Sequence, residues 1–214
     1  MNAEKHRVEG ITIHSFDFKE YDRIITVFSS EMGVISLIVK GANRRKKGTA
    51  SALATPLSCG EFIFSAGKGD LFTYHDGTIY DQFLSLRNDF DTLDAAGEML
   101  KIVKSSLLPM KPSPLLYLLL KTFLSGFGGS ENPRAVLVSF ILKVLCHEGL
   151  LSIDPEIPYI QWLRDNGNSE IPFSEDEYDT ILCLALSRSL QQISSLHVPK
   201  NFEDKVKALL AYNY

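Results

Sequence analysis

Before residue 88 the apolar positions recur with a period of two, or fill short β-branched runs, over residues 8–16, 23–29, 34–39, 58–66 and 70–75, with a further piece over 78–84. That spacing predicts strands, since alternate side chains share one face of a sheet. Turn chemistry separates them: residues 17–22, Glu31-Met32-Gly33, the run 40–48, Gly67-Lys68-Gly69 and Asp76-Gly77. Five or six short strands with hairpin-like spacing predict a small closed barrel or sandwich. After residue 88 the segments lengthen and become helical. Ser113-Pro114 and Asn132-Pro133 each set a capping side chain before a proline at the first helical position, and Gly126 and Gly149 mark the ends. The bodies of these helices, 115–124 and 135–145, are apolar on nearly all sides, which predicts burial among other helices. Further helices are predicted over 91–107, after the capping box Ser174/Glu177, and from Asn201 to Ala211. The expected architecture is α+β in two parts: a barrel domain over residues 1–85 and an all-α domain over 86–214.

Composition narrows the chemistry. The 214 residues are 45% apolar and 22% charged, an ordinary globular balance, and the net charge of −4 argues against a surface that attracts polyanions everywhere. Any such attraction must be regional. Residues 1–80 carry ten Lys and Arg against nine Asp and Glu, while 81–214 carry twelve against seventeen. Cys59, Cys146 and Cys183 are odd in number and far apart, which fits neither a disulfide framework nor a zinc knuckle. Cys146 and Cys183 lie in apolar helical runs and are expected to be buried. No apolar run reaches 18 residues and the N-terminus lacks a signal-like apolar region, so no membrane association and an intracellular setting are expected.

The strongest chemical signal is the run Lys40-Gly41-Ala42-Asn43-Arg44-Arg45-Lys46-Lys47-Gly48, which lies within a stretch, 33–59, that holds no acidic residue. Glycines and Asn43 make it a turn-forming loop, and its guanidinium and ammonium groups suit phosphates. The alternative is a solvated hairpin tip. Enzyme signatures fail. Residues 60–69 resemble a P-loop only loosely, with six residues between the glycines and a glycine where a magnesium-binding hydroxyl would be needed. His147-Glu148 has no second histidine one turn on, and the five histidines show no ligand spacing. No catalytic residues, metal or cofactor are expected.

Three segments then carry a family likeness: Val8-Glu9-Gly10-Ile11-Thr12-Ile13, the run from Glu20-Tyr21-Asp22-Arg23 to Phe28-Ser29, and the run from Gly33-Val34-Ile35-Ser36 to Lys40-Gly41-Ala42-Asn43-Arg44-Arg45. In that order, and continuing to Glu148-Gly149-Leu150, they resemble the bacterial recombination and repair mediator family RecO. The resemblance implies an N-terminal OB-fold followed by a helical domain, and a non-catalytic DNA repair and recombination mediator. Such proteins bind single- and double-stranded DNA, anneal complementary strands, and with RecR load RecA onto DNA coated by the single-stranded DNA-binding protein, with a functional link to RecF. It also implies a cytoplasmic, nucleoid-associated setting. Carried over by position, Arg23, Lys40, Arg44 and Arg45 are the matched basic residues, which Lys46 and Lys47 extend. The family's contact with the acidic C-terminal tail of the single-stranded DNA-binding protein falls in the helical domain, where Lys121, Arg134 and Lys143 are the candidate bases. The cysteine zinc site of many members has no counterpart, because residues 152–168 contain no cysteine.

An OB barrel binds single strands by combining a basic groove with aromatic faces on which bases stack. Phe62 and Phe64 read as core, while Tyr74 and Tyr80 are the preferred stacking candidates. Two other classes stay open on the sequence: an OB module that docks proteins, and an RNA-binding OB protein, since nothing in the residues distinguishes ribose from deoxyribose.

Overall fold

The computed structural model describes residues 4–43, 48–166 and 171–213. Arg44, Arg45, Lys46 and Lys47 lie outside the described residues.

Five strands form the barrel: β1 (Lys5–Phe18), β2 (Asp22–Ser29), β3 (Gly33–Val39), β4 (Ser58–Lys68) and β5 (Leu71–Asp81). They close in the order β1-β2-β3-β5-β4, with antiparallel pairs throughout except β3 and β5, which run parallel. This is the OB topology. The short helix α1 (Thr49–Leu53) lies between β3 and β4 and sends Leu53 into the core beside Val8, Ile25, Val27, Leu37, Phe62 and Phe64. Each such buried side chain contributes roughly 1.5–3 kcal/mol. Thr12 Oγ1 donates to the Leu53 carbonyl at 2.6 Å and so ties the helix to β1.

The two pieces predicted over 70–75 and 78–84 are one strand, β5. Asp76-Gly77 makes no hairpin there: Gly77 pairs with Phe62, and a register shift between Ile63 and Phe64 absorbs the irregularity as a bulge. A side chain at Gly77 would overlap the Glu61 carbonyl oxygen and lie 2.7 Å from Leu53 Cδ1. The glycine therefore serves close approach, as strand glycines often do.

The chain divides into two compact units, Met1–Arg87 with Leu100–Ser125, and Asn88–Met99 with Gly126–Tyr214. Helix α2 (Phe90–Ser106) is shared between them, and α3 (Pro114–Gly126) belongs almost wholly to the first. Within that first unit Tyr117 of α3 meets Phe28 of β2 edge-on at 5.5 Å. The Tyr117 hydroxyl and Lys121 Nζ both donate to Glu9 Oε1, at 2.7 and 2.6 Å. Lys121 above all, with help from Tyr117, holds the Glu9 carboxyl below its usual range. The segment before α3 is laced to the barrel as well: Pro109 bridges Val34, and the Met110 N–H donates to the Val34 carbonyl at 3.1 Å. Helix α3 is thus one-sided. Leu116, Tyr117, Leu120, Phe123 and Leu124 are buried, but Leu115 and Leu118 are exposed, contrary to the burial on all sides that its composition predicts.

In the second unit α4 (Pro133–His147) is buried over most of its length and packs against α6 (Glu175–Leu186), α7 (Leu190–Ser194) and α8 (Lys200–Asn213). Its start is as predicted, with the Asn132 side chain accepting from the Ala135 N–H ahead of Pro133. The capping box is also present, Ser174 and Glu177 each accepting from the other's backbone N–H. Helix α5 (Tyr159–Asn166), which has no predicted counterpart, buries Trp162 between Tyr178 and Phe173. Of the cysteines expected to be buried, Cys146 is half-buried and Cys183 is exposed. An apolar run does not reveal which turn of α6 faces outward.

Candidate nucleic-acid interface

Since Ile25, Val27, Leu37 and Val39 point into the core, their alternates point out. Two rows cross the outer face of the barrel. One runs Phe16, Ile24, Ile38, Thr73 over β1, β2, β3 and β5; the other runs His14, Thr26, Ser36, Leu71. Phe16 is 47% exposed, and its ring lies 5.9 Å from that of His14. The β1–β2 hairpin tip adds Tyr21, 45% exposed, and Lys19, whose ammonium sits 5.3 Å from the centre of the Phe18 ring. Aromatic faces beside cations on the outer face of β1–β3 are what base stacking requires.

The hairpin tip also anchors the stem of the basic run. The Gly41 N–H donates to Asp22 Oδ1 at 2.9 Å, and the Asn43 N–H to the Tyr21 carbonyl at 3.0 Å. Asp17 Oδ1 accepts from Asn43 Nδ2 at 2.9 Å and from Arg23 Nε at 3.0 Å. These donors, Asn43 first and Arg23 second, hold the Asp17 carboxyl below its usual range. Two carboxylates therefore fix the stem from which the run 44–47 departs.

The predicted basic residues fall into different settings. Lys40 is exposed at the end of β3. Arg23 pairs across the sheet with Val39 and Asp17, so it lies at the inward-facing rim of the barrel and positions the stem through Asp17. Tyr74, expected to offer its ring to bases, is instead buried. It is only 9% exposed, packs edge-on to Phe62 within the core, and burial pushes its phenol up to about 12. Alternation along β5 forces this, because Phe72 and Tyr74 share the inward side with the core of β3 and β4. Tyr80 is exposed, on the other part of the barrel, its hydroxyl 3.4 Å from Glu61 Oε2.

The three bases expected to meet an acidic partner are divided between the two units, each in a setting of its own. Lys121 is paired with Glu9 in the first unit. In the second, Arg134 Nε lies 2.7 Å from Glu203 Oε2, and Lys143 Nζ donates to the carbonyls of Ala185 and Ser187 at 2.5 and 2.9 Å. Lys143 thereby satisfies the C-terminal carbonyls of α6, a structural use of its charge.

Charge separates by unit more sharply than by sequence halves. The first unit holds fifteen Lys and Arg against ten Asp and Glu; the second holds seven against sixteen. The excess of positive charge thus accompanies the barrel and its exposed aromatic rings.

Comparison with known proteins agrees with the barrel. The sequence model described as Recombination protein O N terminal matches residues 1–83. The chain is 33% identical over 145 residues to a DNA repair protein RecO of Acetivibrio thermocellus, covering 67% of this chain and 57% of that relative. With the DNA repair protein RecO of Caldicellulosiruptor saccharolyticus it is 23% identical over 224 residues, covering 95% and 89%. The chain belongs to the RecO family. A third relative, the DNA repair protein RecO of Clostridium acetobutylicum, is 30% identical over 144 residues and is covered for 56% of its length. The alignments with the first and third of these relatives thus span little more than half of each.

Among the described residues, no three His, Cys, Asp or Glu side chains converge as metal ligands, and no helix is long and apolar enough to cross a membrane. Sequence reasoning within the RecO likeness missed Phe16 and Tyr21. The signal for Tyr21 was its place in the polar turn 17–22, where an aromatic ring has no core to enter.

Proposed function

We propose that this RecO family member is a DNA repair and recombination mediator that binds single- and double-stranded DNA and anneals complementary strands. With RecR it helps to load RecA onto DNA coated by the single-stranded DNA-binding protein, in functional connection with RecF. The observation that carries this reading is the positive excess of the barrel unit, set beside exposed Phe16 and Tyr21 and the anchored stem of the basic run. In the proposed division of labour, barrel residues 1–85 hold DNA and helical residues 86–214 meet partners, including the acidic tail of the single-stranded DNA-binding protein. Of the candidate bases for that tail, Lys121 and Arg134 keep part of their side chains exposed within their ion pairs, whereas Lys143 is committed to α6.

Annealing asks little chemistry of the protein. Two strands must be held with their backbone charge neutralised and their bases accessible, and no nucleotide hydrolysis is needed. Lysines and arginines from the basic run displace counterions from the phosphates. Stacking on Phe16 or Tyr21 holds bases at roughly 1–3 kcal/mol each without sequence preference. The test is the annealing rate of complementary fluorescent oligonucleotides precoated with the cognate single-stranded DNA-binding protein. The protein should accelerate it; binding of the coated strands without acceleration would instead make the chain a docking module.

A further inference from the structure

A second acid-free stretch belongs almost wholly to the barrel unit. Residues 99–130 contain Lys101, Lys104, Lys111 and Lys121 and no Asp or Glu. Lys121 is engaged by Glu9. Lys104 and Lys111 are exposed and enter no ion pair among the described residues.

Their position follows from the lacing of this segment to the barrel. Pro109 bridges Val34, Met110 bonds to the Val34 carbonyl, and the Lys111 backbone lies against Gly33. Lys111 thus stands at the first residues of β3, whereas Lys40 and the basic run follow its last. Lys104 approaches His14, in the second outer row; burial first and the Lys104 charge second push that imidazole down. Between Lys40 and Lys111 lie Ile38 and Ser36 of β3, each a member of one of the outer rows described above, the second of them the row of His14. The length of β3, about 20 Å at about 3.3 Å per residue, is short enough for a few nucleotides to span, at the low end of OB site sizes of roughly 4–16 nucleotides.

We propose that Lys104 and Lys111 form a second phosphate-contact site, so that a single strand laid along β3 meets Lys40 beyond its last residue, Lys104 beside the His14 row and Lys111 at its first residues. The inference rests on the reading that the barrel binds DNA. A strand gripped at both ends keeps its bases over the Phe16 row, where one grip alone would leave its free end to solvent.

The test is a salt titration of the intact protein on an oligothymidylate of about 16 nucleotides, followed by fluorescence anisotropy. It compares the wild type with Lys104→Ala/Lys111→Ala and with Lys104→Arg/Lys111→Arg, all three first shown to be equally folded by circular dichroism. Loss of two phosphate contacts should make the log–log slope shallower by about 1.4, at roughly 0.7 per phosphate, and the arginine pair should restore it. An alanine pair with the wild-type slope overturns the second site, while a normal loss on mutating the run 44–47 leaves the barrel reading intact. A wild type without salt-dependent binding overturns both.

Discussion

Replacing Arg44, Arg45, Lys46 and Lys47 together with alanine should make the salt dependence of single-strand binding shallower by about 3 in log–log slope, on the basis of four phosphates at roughly 0.7 each. Affinity at low salt should fall most, because counterion release contributes most there. Charge density in the sequence and the anchored stem both support this expectation. Asp22 accepts from the Gly41 N–H, the Tyr21 carbonyl from the Asn43 N–H and Asp17 from the Asn43 side chain, so the stem of the run is fixed beside Phe16 and Tyr21. Without that anchoring, part of the binding energy would go to ordering the stem. Anisotropy titrations at a series of salt concentrations check the expectation. An unchanged slope would move the DNA off this end of the barrel.

Gly33→Ala should destabilise the protein by about 3 kcal/mol, combining the left-handed backbone penalty with a clash. Gly33 has φ +68°, and a Cβ there would overlap the carbonyl oxygen of Lys111. The overlap is with backbone, so no rotamer change relieves it. Either the β2–β3 turn or the segment around Lys111 must shift. Urea unfolding should show a lower midpoint with an unchanged m-value. The displaced Lys111 should also cost the folded variant part of the salt slope assigned to the second phosphate site. An unchanged midpoint would mean that the segment before α3 yields freely and does not hold its lysines in place.

The barrel was legible because period-two alternation is a local property of strands: β1, β2, β3 and β4 all appear in the sequence at nearly their observed positions. Asp76-Gly77 misled because a bulge and a turn draw on the same residues, and only pairing with Phe62 distinguishes them. Helices α1, α5 and α7 are too short for helical periodicity to register. The basic run was visible because charge density needs no fold to be recognised. The aromatic site was not, since Phe16, Phe62, Phe64, Phe72 and Tyr74 all sit in alternating strands, and only closure of the barrel decides which side of each is inside. That closure buried Tyr74 and exposed Phe16. Lys104 and Lys111 resemble an ordinary solvated helix and loop; the informative signal was the absence of any acid over 99–130.

DNA is expected to lie on the outer face of β1–β3 in the barrel unit. Photo-crosslinking of an oligothymidylate carrying thiothymidine, followed by peptide mapping by mass spectrometry, tests it directly. Cross-links should fall on peptides containing Phe16 and Tyr21, the run 40–47, and Lys104 or Lys111. Cross-links confined to Asn88–Met99 and Gly126–Tyr214, the acidic unit, would contradict it.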